Sequence, residues 1–69
     1  MYILTEKNTL INVNNVVGYE PFDGGIVAHC VNGHRELICS NMSMEHFMRS
    51  LHIAFANSPS MYILDIKEE

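Results

Sequence analysis

The sequence predicts a small α+β domain: an antiparallel β-sheet of three to four strands, then one helix packed on one face, then a final strand. Three observations indicate this class. Asn32-Gly33 lies between two runs of β-forming residues, which is typical of a β-hairpin. From Met44 to Phe55, apolar residues recur at spacings of three and four, as on one face of a helix. Ser58-Pro59-Ser60 then ends this helical pattern before a last apolar run.

The residues before the hairpin predict short strands joined by turns. Residues 2–5 are predicted as a strand, with residues 7–9 as the turn that follows it. The β-branched and Asn-rich segment 10–20 predicts one strand or two, broken near Asn14-Asn15. We expect residues 21–25 to form a loop, because Asp-Gly-Gly supplies the positive φ that a turn needs.

The hairpin is predicted to join residues 26–31 to residues 34–39 through a two-residue type I′ turn. This turn pairs Val31 with His34, and counting back along the strands places His29 opposite Glu36. One face is expected to be the core and carries Ile26, Ala28, Cys30, Leu37 and Cys39. The other face carries Val27, His29, Val31, His34, Glu36 and Ile38.

The helix is predicted to begin after Ser43, whose side chain is a typical N-cap. Its apolar face consists of Met44, Phe47, Met48, Leu51, Ala54 and Phe55. We expect the helix to end near Asn57, with a strand over residues 61–66 and a solvated tail over residues 67–69. Residues 1–4 recur as residues 61–64, and this short identity indicates two similar strand environments.

Length and charge limit the classes of function. The 69 residues predict a single domain over residues 1–69. The net charge is −4 and the four basic residues are scattered, so the basic stripe of a nucleic-acid-binding protein is missing. Neither a signal peptide nor a membrane-spanning apolar run is apparent. We expect a cytoplasmic protein with neither nucleic acid nor membrane as partner.

Catalytic motifs are also missing. Cys30 and Cys39 are predicted roughly 13 Å apart on one face, too far for a disulfide, and are expected to be buried, reduced thiols. No nucleophile elbow, phosphate loop or dinucleotide fingerprint is present. A chain of this size is expected to leave little room for a cleft of about 300 Å³ or more. We therefore expect a protein that is not an enzyme and uses no cofactor.

His29, His34 and Glu36 are the candidate metal ligands. On the predicted register they share a face, and two imidazoles with one carboxylate are able to hold zinc with an open position. The close ligand spacing of structural zinc sites is missing, so an exposed His–Glu pair is the favoured interpretation and no metal site is predicted. For a metal or small-molecule site, the favoured form is one completed by a second subunit, with Arg35 as a further lining group.

Apolar residues outside the predicted core are candidates for a contact surface. One helix covers only one face of a sheet, so Val27, Val31 and Ile38 on the other face favour docking. Ile53 projects from the helix away from its apolar face, and Met42 belongs to a methionine cluster at the helix start. We therefore predict a protein-binding module acting as a homo-oligomer. The alternative is a small-molecule or metal-binding protein with sites at subunit interfaces.

The chain resembles a group of short bacterial proteins found in Firmicutes genomes, phages and other mobile elements. The resemblance lies in segments 13–17, 26–29, 32–33 and 61–64, and in Ser43 at the helix start. It implies a β-meander, one helix and a closing strand with an acidic tail. It also implies an origin in a phage or mobile element, where a binding module could act as an inhibitor of a host protein, and it assigns no functional residue. The helix departs from the Glu- and Lys-rich helices of that group, being rich in Met, His and Ser.

Overall fold

The computed structural model describes residues 1–57 and 63–66, and it confirms the α+β class. The strands are β1 (Tyr2–Leu4), β2 (Leu10–Asn12), β3 (Val16–Phe22), β4 (Gly25–Cys30), β5 (Arg35–Cys39) and β6 (Ile63–Asp65). A short 3₁₀ helix (Val13–Asn15) precedes β3, and the helix α1 (Met44–Asn57) follows β5. The predicted break at residues 58–60, the first two residues of the predicted last strand and the tail 67–69 lie outside the described residues.

The strands divide between two sheets. The first, called the terminal sheet, has the order β2-β1-β6, and the second, called the meander sheet, has the order β3-β4-β5. In the terminal sheet, Ile3 lies opposite Ile11 on antiparallel β2 and opposite Leu64 on parallel β6. All three are buried, so this row of side chains is the terminal sheet's contribution to the core. The described parts of the two recurring segments, residues 2–4 and 63–64, thus belong to neighbouring strands.

The turn between β1 and β2 is organised by Thr5. Its side chain is fully buried, and its hydroxyl lies 2.6 Å from the Thr9 hydroxyl. The same oxygen accepts hydrogen bonds from the backbone N–H groups of Lys7 and Thr9. This buried polar side chain is therefore fully paired, which keeps its burial from costing stability.

The break predicted near Asn14-Asn15 is confirmed. The Asn12 side chain accepts a hydrogen bond of 2.9 Å from the Asn14 N–H and so caps the 3₁₀ helix between β2 and β3. The loop expected over residues 21–25 is only two residues long, because Phe22 already pairs with Gly25. Asp23 and Gly24 have φ values of 51° and 84°, the positive pair that a type I′ turn requires.

The prediction of a type I′ turn at Asn32-Gly33 is wrong. The Gly33 N–H and the Cys30 N–H donate to the carbonyls of Cys30 and His34, at 3.0 Å and 2.8 Å respectively. The loop therefore has three residues, Val31 to Gly33, and Gly33 takes the positive φ of 83°. A three-residue hairpin loop commonly combines a type I turn with a residue of this left-handed conformation.

The predicted register of the hairpin is also wrong over most of its length. Ile26 does pair with Cys39, but Val27 then pairs with Leu37, which leaves Ile38 as an extra, bulged residue on β5. The bulge turns Ile38 into the core, where it is 0% exposed, although the open face was expected. Leu37, expected in the core, lies half-buried opposite Val27. His29 consequently faces Arg35 and not Glu36.

The helix α1 packs Phe47, Leu51 and Ala54 into the core, as its predicted face requires. Its N-cap is confirmed, because the Ser43 hydroxyl accepts a hydrogen bond of 3.1 Å from the His46 N–H. The Phe47 ring meets the Tyr19 ring edge-to-face with centroids 5.0 Å apart. Met48 and Phe55, predicted on the same helical face, lie at its margin and are exposed. In the described part of the chain, no helix has the length and apolar character to cross a membrane.

Glu6 ties the two sheets together. Its backbone N–H donates to the Ile38 carbonyl at 2.9 Å. Its carboxylate accepts hydrogen bonds from the N–H and the hydroxyl of Ser40, at 2.8 Å and 3.0 Å. The turn between β1 and β2 is thus fixed against the bulged end of β5. This contact sets the position of the terminal sheet relative to the meander sheet.

Candidate binding groove between the two sheets

A groove of about 410 Å³ lies between the terminal sheet and the meander sheet, and we call it the intersheet groove. One wall consists of Thr9, Leu10, Ile11, Asn12 and Asn15. The other wall consists of Cys30, Val31, Asn32, His34 and Glu36. The volume corrects the expectation that the chain has little room for a cleft, since ligand pockets usually measure about 300 to 1,000 Å³.

The position of the second wall follows from the geometry of the β4–β5 hairpin. The Val31 N–H donates a hydrogen bond of 2.9 Å to the Asn15 carbonyl, which anchors the hairpin loop to the 3₁₀ helix. The Asn32 side chain accepts from the His34 N–H at 2.9 Å and holds the loop closed. A backbone hydrogen bond therefore joins the two walls, and a second bond, accepted by the Asn32 side chain, fixes the hairpin loop.

The apolar part of the groove is open to solvent. Leu10 is 55% exposed and Val31 is 64% exposed, and both line the groove. Large apolar side chains at such exposure on two walls of one groove are typical of a surface that another molecule covers. The side-chain amides of Asn12, Asn15 and Asn32 lie among them and offer both donors and acceptors.

Two of the three candidate metal ligands meet in the groove. His34 Nε2 lies 2.6 Å from Glu36 Oε1, and Glu36 is the less exposed of the two side chains. The third, His29, lies elsewhere, with its Nε2 2.5 Å from Glu20 Oε1. The predicted cluster is divided because the three-residue loop shifts the register by one. Within residues 1–57 and 63–66, no group of three His, Cys, Asp or Glu side chains is placed to hold one metal ion.

The two cysteines are free thiols in different surroundings. Cys39 is buried, and burial raises the pKa of its thiol, with a further upward contribution from the charge of Glu6. Cys30 was expected to be buried as well, but it is half-exposed and lines the groove. A catalytic thiol needs contact with a base, and no hydrogen bond between the side chains of Cys30 and His34 occurs among the described residues.

Tyr19 is a residue that the sequence did not single out. Its hydroxyl is buried and has no hydrogen-bond partner in the described part of the chain. Burial raises the pKa of this phenol, and the nearby charge of Cys30 raises it further. The aromatic contact with Phe47 explains why the side chain is held there.

The predicted contact residues are scattered in the structure. Val31 lies in the intersheet groove, and Ile53 is 55% exposed on α1, outside the groove. Met42 is half-buried against the core. Val27 and Ile38 were predicted on an open docking face, but both are buried, so neither has surface to offer a partner. Ile38 is in the core because of the bulge.

Val27 is covered on the far side of the meander sheet by side chains of the neighbouring strands. A shallow depression there is lined by Phe22, Val27, Arg35, Glu36 and Leu37. The Arg35 guanidinium lies 5.7 Å from the centre of the Phe22 ring and closes part of that face. This face is therefore partly protected, whereas the intersheet groove is not.

Sequence reasoning missed Leu10, Asn12 and Asn15 as groove residues. Each lies in a segment that was read only as a strand or as a break between strands. A groove between two sheets has no local signature, because its walls come from segments about twenty residues apart.

Comparison of the chain with protein-family models, with curated proteins and with solved structures found no match in any of the three. The function is therefore argued from the groove and its chemistry alone.

Proposed function

We propose that this chain is a protein-binding module without catalytic activity, and that it binds a segment of a partner protein in the intersheet groove. The observation that carries the proposal is the pair of exposed apolar side chains, Leu10 and Val31, in a groove of about 410 Å³. A partner that covers both removes apolar surface from water, which is the usual driving force of association.

The polar lining of the groove supports the same proposal. Three asparagine side chains stand beside the two apolar ones, and recognition sites commonly combine an apolar centre with a few polar groups that fix orientation. Among the described residues Cys30 and His34 are joined through their backbones and not through a hydrogen bond between thiol and imidazole, which supports a role in binding over one in nucleophilic catalysis.

The proposed function includes self-association, because the sequence predicts a homo-oligomer. The charged fraction of 17% is lower than the usual value of about 25%, which favours a surface that is covered by another chain. The role as an inhibitor protein of a phage or mobile element rests on the resemblance described above and stays a prediction.

A second candidate function is the binding of a small molecule in the same groove. The groove volume and the His34–Glu36 pair favour it, since one ligand can meet both an apolar wall and a hydrogen-bonded imidazole and carboxylate. A rise of the melting temperature with a panel of nucleotides, amines and divalent metals, without any peptide binder, would select this candidate.

The proposed function is tested by selecting binders from a phage-displayed library of random peptides. Selected peptides are synthesised and titrated by fluorescence anisotropy against the wild type and against Val31→Asp. We expect Val31→Asp to weaken binding by roughly tenfold or more, because it puts a charge into the apolar part of the site. Failure to enrich any peptide would contradict the proposal.

The matched control is Val17→Asp. Val17 is 70% exposed and lies outside the groove, so its substitution should change the affinity less than about twofold. Ile53→Asp gives a second comparison, because equal losses at Val31 and Ile53 would place the contact surface across α1 as well.

A further inference from the structure

The first wall of the intersheet groove includes one edge of strand β2. Leu10, Ile11 and Asn12 are consecutive, yet all three line the groove. Side chains of a strand alternate between its faces, so three consecutive lining residues mean that the edge of β2 faces the groove. In the part of the chain that the structure describes, β2 pairs with β1 alone.

The hydrogen-bond pattern shows which backbone groups point into the groove. The Thr5 N–H donates to the Thr9 carbonyl at 2.9 Å, and the Val13 N–H donates to the Met1 carbonyl at 3.1 Å. In an antiparallel pair the hydrogen-bonded positions alternate, so Ile11 is directed at β1. Leu10 is therefore at a position whose N–H and C=O both point away from β1, towards the groove.

Charge complementarity narrows the choice of occupant. Among the residues that line the groove there is one carboxylate, Glu36, and there is no Lys or Arg. One oxygen of this carboxylate, Oε1, lies 2.6 Å from His34 Nε2, so a basic ligand would meet the other oxygen. The whole chain carries a net charge of −4. A ligand with a basic group is therefore favoured both by the field of the protein and by a direct partner in the groove.

We infer that the partner segment binds in an extended conformation as an added strand on β2, and that it carries a Lys or Arg side chain that meets Glu36. This inference rests on the proposed function. The backbone of the segment pairs with the N–H and C=O of Leu10, as in other cases of strand addition. An apolar side chain of the segment packs between Leu10 and Val31, and the basic side chain lies further along the hairpin wall.

The first experiment is an N-methyl scan of a selected peptide. Seven-residue versions are synthesised with one backbone nitrogen methylated at a time and titrated against the wild-type chain. Methylation removes a donor, so positions that face Leu10 should lose about tenfold or more in affinity, while alternate positions change less than about twofold. A loss without this two-residue periodicity overturns the inference.

The second experiment tests the charge. Glu36→Gln should weaken binding of a Lys-containing peptide by about fivefold to tenfold, and should not affect the same peptide with norleucine in place of Lys. Glu45→Gln is the matched control, since Glu45 is exposed on α1 outside the groove. Selected peptides without a basic residue, or equal losses in the two variants, overturn the inference.

The outcomes also separate this inference from the proposed function. If no peptide binds, the proposed function fails and the inference fails with it. If peptides bind and Val31→Asp weakens them, but the methyl scan shows no alternation, only the strand-addition inference fails. A dimer in native mass spectrometry that Val31→Asp dissociates identifies a second copy as the occupant and also overturns the inference.

Discussion

The two ends of β4 differ in how closely the rest of the chain packs against them. At its start, Gly25 lies against the backbone of Cys39 and Ser40, where an added Cβ would stand 2.1 Å from the Cys39 carbonyl oxygen. At its end, Cys30 and Val31 form one wall of an open groove. One strand thus joins a tight backbone contact at one end to a solvent-open groove at the other.

The difference shows how a small chain separates folding from recognition. The closed end uses a tight turn at Asp23-Gly24, with the Met42 N–H donating to the Gly24 carbonyl at 3.0 Å. The open end uses a three-residue loop that contacts the rest of the chain through its backbone and leaves Val31 exposed. Substitutions at the closed end should therefore affect stability, and those at the open end should affect binding.

The largest expected effect is that of Gly25→Ala. The new Cβ would also lie 2.7 Å from the Ser40 Cα, so backbone must move, and we expect the free energy of unfolding to fall by more than about 3 kcal/mol. Urea denaturation followed by circular dichroism measures it. Gly18→Ala is the matched control, because nothing lies within 4 Å of its Cβ position and its cost should be within about 1 kcal/mol. If the two substitutions lowered the free energy of unfolding by similar amounts, the tight packing inferred at Gly25 would be wrong.

The second largest effect is expected in the rates at which the two thiols react. Cys39 pairs with Ile26 at the closed end and is buried, with a pKa raised by burial, whereas Cys30 is half-exposed at the open end. Under native conditions at pH 8, we expect a maleimide to label Cys30 faster than Cys39 by on the order of tenfold or more. Mass spectrometry of the single variants Cys30→Ala and Cys39→Ala assigns the two rates. Equal rates would mean that the closed end opens as readily as the groove.

Gly33→Ala should have an intermediate effect. Gly33 has a φ of 83°, but nothing lies within 4 Å of its Cβ position, so the cost comes from the left-handed backbone alone. We expect about 1 to 2 kcal/mol in the same denaturation experiment. Gly33→Asn should cost less, because Asn tolerates this conformation better. A cost equal to that of Gly25→Ala would show that the open end is as constrained as the closed one.

Val31→Asp should have the smallest effect on stability. The side chain is mostly exposed, so the free energy of unfolding should change by less than about 0.5 kcal/mol. The same variant is expected to lose peptide binding, and the two measurements together separate recognition from folding. A large loss of stability would show that Val31 supports the fold and would remove the basis for using it as a binding probe.

The helix and the break between β2 and β3 were predictable because their signals are local. Ser43 caps the helix next to it, and Asn12 to Asn15 carry the polar side chains that interrupt a strand. The register of the second hairpin was not predictable in the same way. Its bulge at Ile38 lies where the Glu6 N–H donates to the Ile38 carbonyl and Gly25 approaches the Cys39 backbone, and both Glu6 and Gly25 are distant in sequence from β5.

The site was predictable only in part. The exposure of Val31 follows from its place beside Asn32-Gly33. Of the candidate metal ligands His29, His34 and Glu36, the last two do lie together in the groove, although no metal site was predicted. Their partner wall was not recognised, because nothing in the segment 9–15 indicates that it belongs to a separate sheet. The division into two sheets is a property of the whole chain, since it requires β6 to pair with β1.

That parallel pairing also bears on the order in which the molecule assembles. Strands β3, β4 and β5 follow one another and pair through short turns, so their contacts close small loops and can form early. Tyr2 pairs instead with Ile63. This contact closes a loop of nearly the whole described chain, so its entropic cost of closure is higher. Refolding kinetics should therefore be limited by the docking of β6 beside β1, and a substitution such as Leu64→Ala should accelerate unfolding more than it slows the formation of the meander sheet.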